Sequence, residues 1–212
     1  DKSRSRGLGD VYKRQVNQEQ PFHPIYNYAF VTDSEEGLIV VNVNTLADGL
    51  PRNNFLKRAL TWNPDNILTG ARHITMAGHI VYITTPSSLV VLDLDDPLKP
   101  RLVQKIEMED PRASALQFRY LFVTDAEGLK VFDATQPKNI KPVSGAHIAL
   151  KNPKKLYVAR TYAYIAAGSE GLAIINVKNP EQPKLYKLFN ANGKINDARA
   201  VSYTHLRAHE TS

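Results

Sequence analysis

The stretch at residues 171–183, which reads GLAIINVKNPEQP, decides the fold of this protein. A glycine and a leucine open an apolar run, an asparagine follows four residues after the leucine, and two prolines close the stretch. The same order occurs in SLVVLDLDDPLKP (residues 88–100, with Ser for Gly and Asp for Asn) and in GLKVFDATQP (residues 128–137). Short apolar runs that end at Asn, Asp and Pro are typical of β-strands separated by turns.

Four copies of this unit follow one another along the chain. Their shared leucines, at intervals of 40 to 51 residues, are Leu38, Leu89, Leu129 and Leu172. An aromatic and β-branched run precedes each leucine, and further alternating runs precede and follow most copies, which gives four short strands per unit of about 43 residues. No segment has the periodicity of an amphipathic helix.

Four strands per unit is the number found in a β-propeller blade. Stacking of such units is expected because one sheet cannot bury both of its faces unless similar sheets pack on it. We predict an all-β protein: an incomplete β-propeller with about four four-stranded blades of a larger, six- to eight-bladed ring. The blade motifs lie near residues 28–60, 71–106, 112–145 and 155–190, and a further one starts at 196. A right-handed solenoid with shorter coils is the alternative repeat fold.

These motifs resemble the LVIVD repeat, a β-propeller repeat of bacterial surface or exported proteins. The likeness covers nearly all of residues 26–200, although Leu46 stands where the first copy should have its proline. The resemblance implies an exported, mostly non-catalytic interaction module, and it implies no catalytic residues.

Both ends of the chain differ from the repeats. Residues 1–15 and 201–212 show no hydrophobic pattern, and both resemble translated sequencing-adapter sequence. We therefore expect the first segment to be disordered and neither to belong to the propeller, which we assign to residues 16–200. Roughly half of the formal net charge of +6 comes from these ends, so the basic character says little about partners.

Composition narrows the possible chemistry of this stretch. The chain has no cysteine, which excludes a cysteine-ligated zinc, a thiolate nucleophile and an attached c-type haem here. No apolar run approaches the roughly 20 residues of a membrane span. His23, His73, His79 and His147 lack a metal-ligand spacing, and no phosphate loop or nucleophile elbow occurs. We expect no cofactor, no metal and no nucleic-acid partner.

Two recurring polar positions remain as candidates. The Asp or Asn four residues after each leucine is interpreted as a turn-stabilising group, since each lies in its own blade. A second position, 17 residues before the leucine, is Arg72, Arg112 or Lys155, and Arg199 opens the next unit in the same way. Innermost strands line the channel of a propeller, so these cations would converge at one mouth and bind an anionic ligand or acidic partner. The alternative is that each pairs with a local carboxylate such as Asp110 or Asp197.

The resulting hypothesis is a non-catalytic interaction or scaffold module of an exported or cell-surface bacterial protein, with an unidentified protein or anionic ligand as partner. The alternative is the propeller part of a larger envelope enzyme or electron-transfer protein whose active site lies outside these residues. The fold alone does not decide between the two.

Overall fold

The computed structural model describes residues 23–46 and 50–202. These residues form four antiparallel sheets in chain order, one with three strands and three with four. The strands are β1 (Tyr28–Asp33), β2 (Gly37–Asn42), β3 (Lys57–Trp62), β4 (His73–Ala77), β5 (Ile80–Thr84), β6 (Ser88–Asp93), β7 (Arg101–Glu107), β8 (Ala113–Gln117), β9 (Tyr120–Thr124), β10 (Gly128–Asp133), β11 (Lys141–Ala149), β12 (Leu156–Ala159), β13 (Tyr162–Ala166), β14 (Leu172–Asn176) and β15 (Lys184–Phe189).

We call the sheets blade 1 (β1–β3), blade 2 (β4–β7), blade 3 (β8–β11) and blade 4 (β12–β15). Within each blade, strands that follow one another in sequence pair side by side. The first strands of blades 2, 3 and 4 lie next to one another, as the inner strands of a propeller do. The predicted all-β propeller architecture is therefore confirmed.

Helices in the described residues are short 3-10 turns, such as Pro24–Asn27 and Pro137–Asn139. None of them has the length or hydrophobicity for a membrane crossing. Residues 1–15 and most of 201–212, for which the sequence predicts adapter-like ends, lie outside the described residues.

The hydrophobic core lies between the blades rather than within one of them. Alternate side chains of each middle strand point to opposite neighbours: Val90 of β6 packs against blade 1, whereas Leu89 and Val91 pack against blade 3. This explains why the middle strands are apolar at nearly every position, since both faces of each inner blade are covered. Burial of these strands is the main stabilising contribution to the stack.

The glycine before the repeated leucine has a steric cause. Gly128 has φ +154°, and a Cβ atom at this position would lie 2.0 Å from the carbonyl oxygen of Ile148 in the outermost strand. At Gly171, with φ +79°, the same clash would occur at 2.4 Å from the carbonyl oxygen of Phe189. The fourth strand therefore approaches the third so closely that a side chain is excluded there.

Candidate functional site

The Asp or Asn four residues after each repeated leucine stabilises a turn at the end of its strand. A side-chain oxygen accepts the backbone N–H two residues later, at 2.9 Å in all four blades; the pairs are Asn42–Asn44, Asp93–Asp95, Asp133–Thr135 and Asn176–Lys178. Each group lies at the end of its own blade. The structural interpretation of this position is confirmed.

The predicted cations lie just before the inner strands. The backbone N–H of Arg72 donates to the carbonyl of Thr84 at 2.9 Å, and that of Arg112 donates to the carbonyl of Thr124 at 2.7 Å. These equivalent bonds fix both arginines at the same position of blades 2 and 3. Their side chains are both directed at Asp110, which lies in the link between these blades.

In blade 4 the equivalent residue is Lys154 rather than Lys155. The N–H of Lys154 donates to the carbonyl of Ala166 at 2.8 Å, which is the bond that Arg112 makes in blade 3. Counting back from the leucine selects Lys155 because the turn between β13 and β14 is one residue longer than the corresponding turns of blades 2 and 3. The count of 17 residues back from Leu172 therefore identifies a residue one position after the structural equivalent of Arg112.

Two carboxylates join the cations into a chain across the blades. Asp110 binds the Arg72 guanidinium through one oxygen and Arg112 at 2.8 Å through the other. Asp197 binds Lys154 at 2.7 Å and Arg199 at 2.7 Å. Local pairing with Asp110 and Asp197, the alternative that the sequence left open, is thus what the structure shows for these four cations.

The pKa values of both carboxyl groups reflect this pairing. Partial burial would raise the pKa of Asp110, but hydrogen bonds from the two arginine side chains outweigh it and lower the pKa below its ordinary value. Hydrogen bonds from Lys154 and Arg199 lower the pKa of Asp197. Both groups are therefore carboxylates at neutral pH.

Arg112 also connects blade 3 to blade 4. One guanidinium nitrogen donates to the side-chain oxygen of Asn152 at 2.6 Å and to the carbonyl of Pro153 at 2.7 Å. Bonds to residues just before β12 hold the arginine at the inner end of the blades. Arg112 therefore positions the neighbouring link as well as contributing charge.

Lys155 faces inward and contacts a histidine two blades away. Its ammonium group lies 3.2 Å from Nδ1 of His73, and Nε2 of the same ring lies 2.9 Å from the carbonyl oxygen of Ser114. A neutral ring with its proton on Nε2 satisfies both contacts, since Nδ1 then accepts from Lys155 and Nε2 donates to Ser114. Burial lowers the pKa of His73, and the Lys155 charge lowers it further, against the opposing effect of the Ser114 carbonyl.

The inner-end cluster, as we call these groups, carries an excess of positive charge. It contains five cations and two carboxylates; its members are Arg72, Asp110, Arg112, Lys154, Lys155, Asp197 and Arg199. The contact made by the fifth cation, Lys155, is to an imidazole rather than a carboxylate. The structure therefore brings Arg72 and Arg112 together at Asp110 and Arg199 together with Lys154 at Asp197, and the seven groups carry more positive than negative charge.

A histidine pair on another part of the surface has the composition of a metal site. Potential ligand atoms of His23, His79 and Asp95 lie within 4.8 Å of one another, and the two rings are stacked. However, Nδ1 of His23 accepts the N–H of Ile25 at 3.2 Å, so the ring proton lies on Nε2, the nitrogen that faces Asp95 at 3.3 Å. This tautomer forms a hydrogen bond to Asp95 and does not offer Nε2 as a metal ligand.

Comparisons with known proteins agree with this architecture. The family model described as the LVIVD repeat matches residues 26–46 and 154–190. No curated protein matches the sequence.

Solved structures show the same fold at low sequence identity. The periplasmic gluconolactonase PpgL of Pseudomonas aeruginosa is 18% identical, with a TM-score of 0.59, and the match covers 79% of this chain and 51% of that one. A chain of the nidogen/laminin complex is 14% identical, with a TM-score of 0.57, over 84% of this chain and 64% of that one. The computationally designed Ika8 protein is 10% identical, with a TM-score of 0.58, over 84% of this chain and 50% of that one.

This chain thus spans between half and two thirds of the length of these three solved chains. Repeat motifs and fold lead to the same assignment. The protein carries LVIVD repeats, and its sheets are blades of a β-propeller that the described residues do not close.

Proposed function

We propose that this protein is a non-catalytic interaction module, part of an exported or cell-surface bacterial protein, that binds an acidic segment of a partner protein at the inner-end cluster. The observation that carries the proposal is the uncompensated positive charge of this cluster, above all at Lys155. The export assignment rests on the match of residues 26–46 and 154–190 to the LVIVD repeat, because the resemblance to this repeat implies a surface or exported bacterial protein.

The geometry suits a carboxylate better than a large apolar ligand. The ammonium group of Lys155 reaches the inner strands, where it contacts the imidazole of His73. Ammonium groups donate to carboxylate oxygens, and hydrogen bonds to charged groups contribute about 1.5–3 kcal/mol each. An Asp or Glu side chain of a partner is therefore the favoured ligand group.

Binding of a fluorescein-labelled hexaglutamate peptide, followed by fluorescence anisotropy at low and physiological salt, tests the proposal. Lys155→Met should weaken binding by roughly tenfold, because it removes one charge-assisted contact. Arg112→Ala should weaken it too, and added salt should reduce the affinity of the unaltered protein.

The matched control is Lys178→Met, which removes the same charge from an exposed lysine at the opposite end of blade 4. This variant should bind the peptide like the unaltered protein. Equal losses for Lys155→Met and Lys178→Met would show that only the overall charge matters, and the proposed site would be abandoned.

The second candidate is a role in a larger enzyme. One structural neighbour is a gluconolactonase, so the propeller fold is compatible with catalysis. At 18% identity, however, this likeness concerns the fold alone. Because the active site would lie outside these residues, hydrolysis of glucono-δ-lactone above the spontaneous rate by a longer protein that carries this propeller would favour the enzyme over the binding module.

A further inference from the structure

Two grooves of unequal size open at neighbouring junctions between blades. Three charged positions correspond in their walls: Asp93, Arg101 and Lys138 at the junction of blades 2 and 3, and Asp133, Lys141 and Glu181 at the junction of blades 3 and 4. The first groove has a volume of about 270 Å³ and the second, which we call the wide groove, a volume of about 610 Å³. Equivalent places in the repeat thus differ more than twofold in the space that they offer.

A glutamine ties the two blades together at the smaller groove. The side-chain amide of Gln104 in β7 donates to the carbonyl of Ile140 at 3.1 Å, and its oxygen accepts the N–H of Ile140 at 2.8 Å. In blade 4 the residue at the position of Ile140 is Pro183, which has no N–H to donate. The same bridge therefore cannot form between blades 3 and 4.

The outermost strand of blade 3 also differs from those of its neighbours. The register gives β11 three extra residues opposite β10, whereas β7 and β15 each have one extra residue. The inserted segment, residues 143–146, reads VSGA and has no side chain as long as that of Gln104. This insertion and Pro183 together account for the larger space of the wide groove.

Tyr120 holds two charged groups of the wide groove in place. Its hydroxyl accepts from the Arg119 guanidinium at 2.7 Å and donates to a carboxylate oxygen of Glu181 at 2.6 Å. The guanidinium also lies 4.9 Å from the centre of the Tyr120 ring and 3.3 Å from the same oxygen of Glu181. Within the described residues these contacts occupy one guanidinium nitrogen and one carboxylate oxygen. Both groups thus keep polar atoms for a ligand and are already ordered, which lowers the cost of binding.

The rest of the lining is polar and has no excess of charge. Three of its side chains make no hydrogen bond or ion pair within the part of the chain that the structure describes; they are Gln136, Asn139 and Lys141. Two cations and two carboxylates line the groove, so that their charges cancel; these are Arg119, Lys141, Asp133 and Glu181. The wide groove therefore offers many donors and acceptors to a ligand without attracting one sign of charge.

We propose that the wide groove binds a neutral saccharide of one or two rings. Each hydroxyl of a sugar both donates and accepts, and neighbouring hydroxyls match the paired polar atoms of amide, carboxylate and guanidinium groups. Pro142 and Val143 add a small apolar surface for the C–H groups of the ring. An anion or a cation would meet no excess of opposite charge, and an apolar ligand would leave the polar side chains unpaired at a cost in free energy. The volume of about 610 Å³ lies within the range of small-molecule sites.

The wide groove and the inner-end cluster lie at opposite ends of the same strand. Arg112 of the cluster directly precedes β8, whereas Arg119 follows β8 in the turn that leads to β9. The chemistry of the two sites differs as well, since the cluster carries excess positive charge and the groove does not. Binding of a saccharide at the groove therefore does not depend on binding of an acidic segment at the cluster, and each can fail alone.

Saturation-transfer difference NMR of the full chain tests the proposal. The neutral probes are the methyl glycosides of glucose, galactose, mannose and N-acetylglucosamine, together with maltose and cellobiose; glucuronic acid is the anionic probe and glycine betaine the zwitterionic one. We expect saturation transfer to at least one neutral sugar, with a dissociation constant on the order of 1 mM, because the ligand is small and the groove is open to water. Transfer to none of the neutral sugars, or a stronger response from glucuronic acid or betaine, would overturn the proposal.

Two variants of the lining identify the wide groove as the site. Arg119→Met removes the guanidinium donors and should weaken sugar binding at least roughly tenfold. Asn139→Ala removes one neutral hydrogen-bonding group and should weaken it about fivefold. The Asn139 side chain makes no bond within the described residues, so this variant should fold like the parent chain, and circular dichroism verifies the fold of both.

The matched control is Lys138→Met. Lys138 is the direct neighbour of Asn139 in sequence, but it lines the smaller groove, so its loss should leave sugar binding unchanged. Lys155→Met in the inner-end cluster should leave it unchanged too. Parent-like binding by both Arg119→Met and Asn139→Ala, or losses in Lys138→Met or Lys155→Met as large as theirs, would show that the sugar binds elsewhere and would refute the assignment.

Discussion

Lys130 of blade 3 provides a sharp test of how burial sets the strength of an ion pair. Its ammonium group lies 2.7 Å from Asp125 and 2.6 Å from Glu127. The Asp125 side chain is fully buried, whereas that of Glu127 is 57% exposed. One lysine thus forms an ion pair with a buried carboxylate and a second ion pair with an exposed carboxylate. Burial alone would lower the pKa of Lys130, but the two carboxylates together raise it above its ordinary value.

Lys130→Met should destabilise the protein substantially because it leaves the Asp125 charge buried without a cation. Loss of one partner of a buried pair typically costs 3–5 kcal/mol, and we expect about 3 kcal/mol because the lysine keeps some access to water. Asp125 retains its bonds from the N–H groups of Glu127 and Gly128 at 2.9 and 3.1 Å, which also favours the lower value. For a chain of this size, 3 kcal/mol corresponds to a melting temperature lower by about 6–12 °C.

Thermal unfolding followed by circular dichroism measures the effect, with Glu127→Gln as the matched control. Removing the exposed carboxylate should change the melting temperature little, since exposed ion pairs contribute little to stability. The double variant Lys130→Met/Asp125→Asn should be more stable than Lys130→Met, because the buried charge is gone. Equal melting temperatures for Lys130→Met and Glu127→Gln would refute the reasoning.

Three further predictions concern the backbone and pH. Gly128→Ala should destabilise the protein by at least about 2 kcal/mol in urea unfolding because of its φ of +154° and the clash with Ile148, whereas Gly145→Ala, with open space around it, should cost only about 1 kcal/mol. Phe118 has φ +53° at a turn position that is Gly78 in blade 2, so Phe118→Gly should raise the stability by about 1 kcal/mol in the same assay. The pKa of His73 is lower in the folded protein than its ordinary 6.5, so the unfolded chain binds more protons below that pH. The free energy of unfolding should therefore fall as the pH decreases from 7 toward 5, and His73→Gln should flatten this dependence; an unchanged pH profile would contradict the assignment of a neutral histidine.

The repeat made the blades predictable from sequence because the signals are local. Leu129, the glycine before it and Asp133 after it mark one strand and its turn, and the structure places β10 between them. The same local chemistry explains the turn-stabilising role of Asp133. Such features depend on residues a few positions apart, so no knowledge of the ring is needed.

The inner-end cluster was predictable only in outline. The sequence indicated a basic residue at the same position of successive blades. In blade 4, however, the longer turn before Leu172 made the count from the leucine select Lys155 instead of Lys154. Contact between Lys155 and His73 depends on how far the ring curves between blades 2 and 4, which no spacing in the sequence specifies. Pairing of Arg72 with Asp110 was open for the same reason, since Arg72 precedes blade 2 and Asp110 lies in the link that leads to blade 3.

The Lys155–His73 contact has a consequence for cooperativity. In proteins built from repeated units, each unit ordinarily interacts only with its immediate neighbours, so local damage is transmitted step by step. Here Lys155, just before blade 4, contacts His73 of blade 2 directly, although blade 3 lies between the two blades. Unfolding of blade 4 therefore removes a contact of blade 2 as well as those of blade 3. We expect the stack to unfold in fewer and larger steps than a linear array of repeats of the same length.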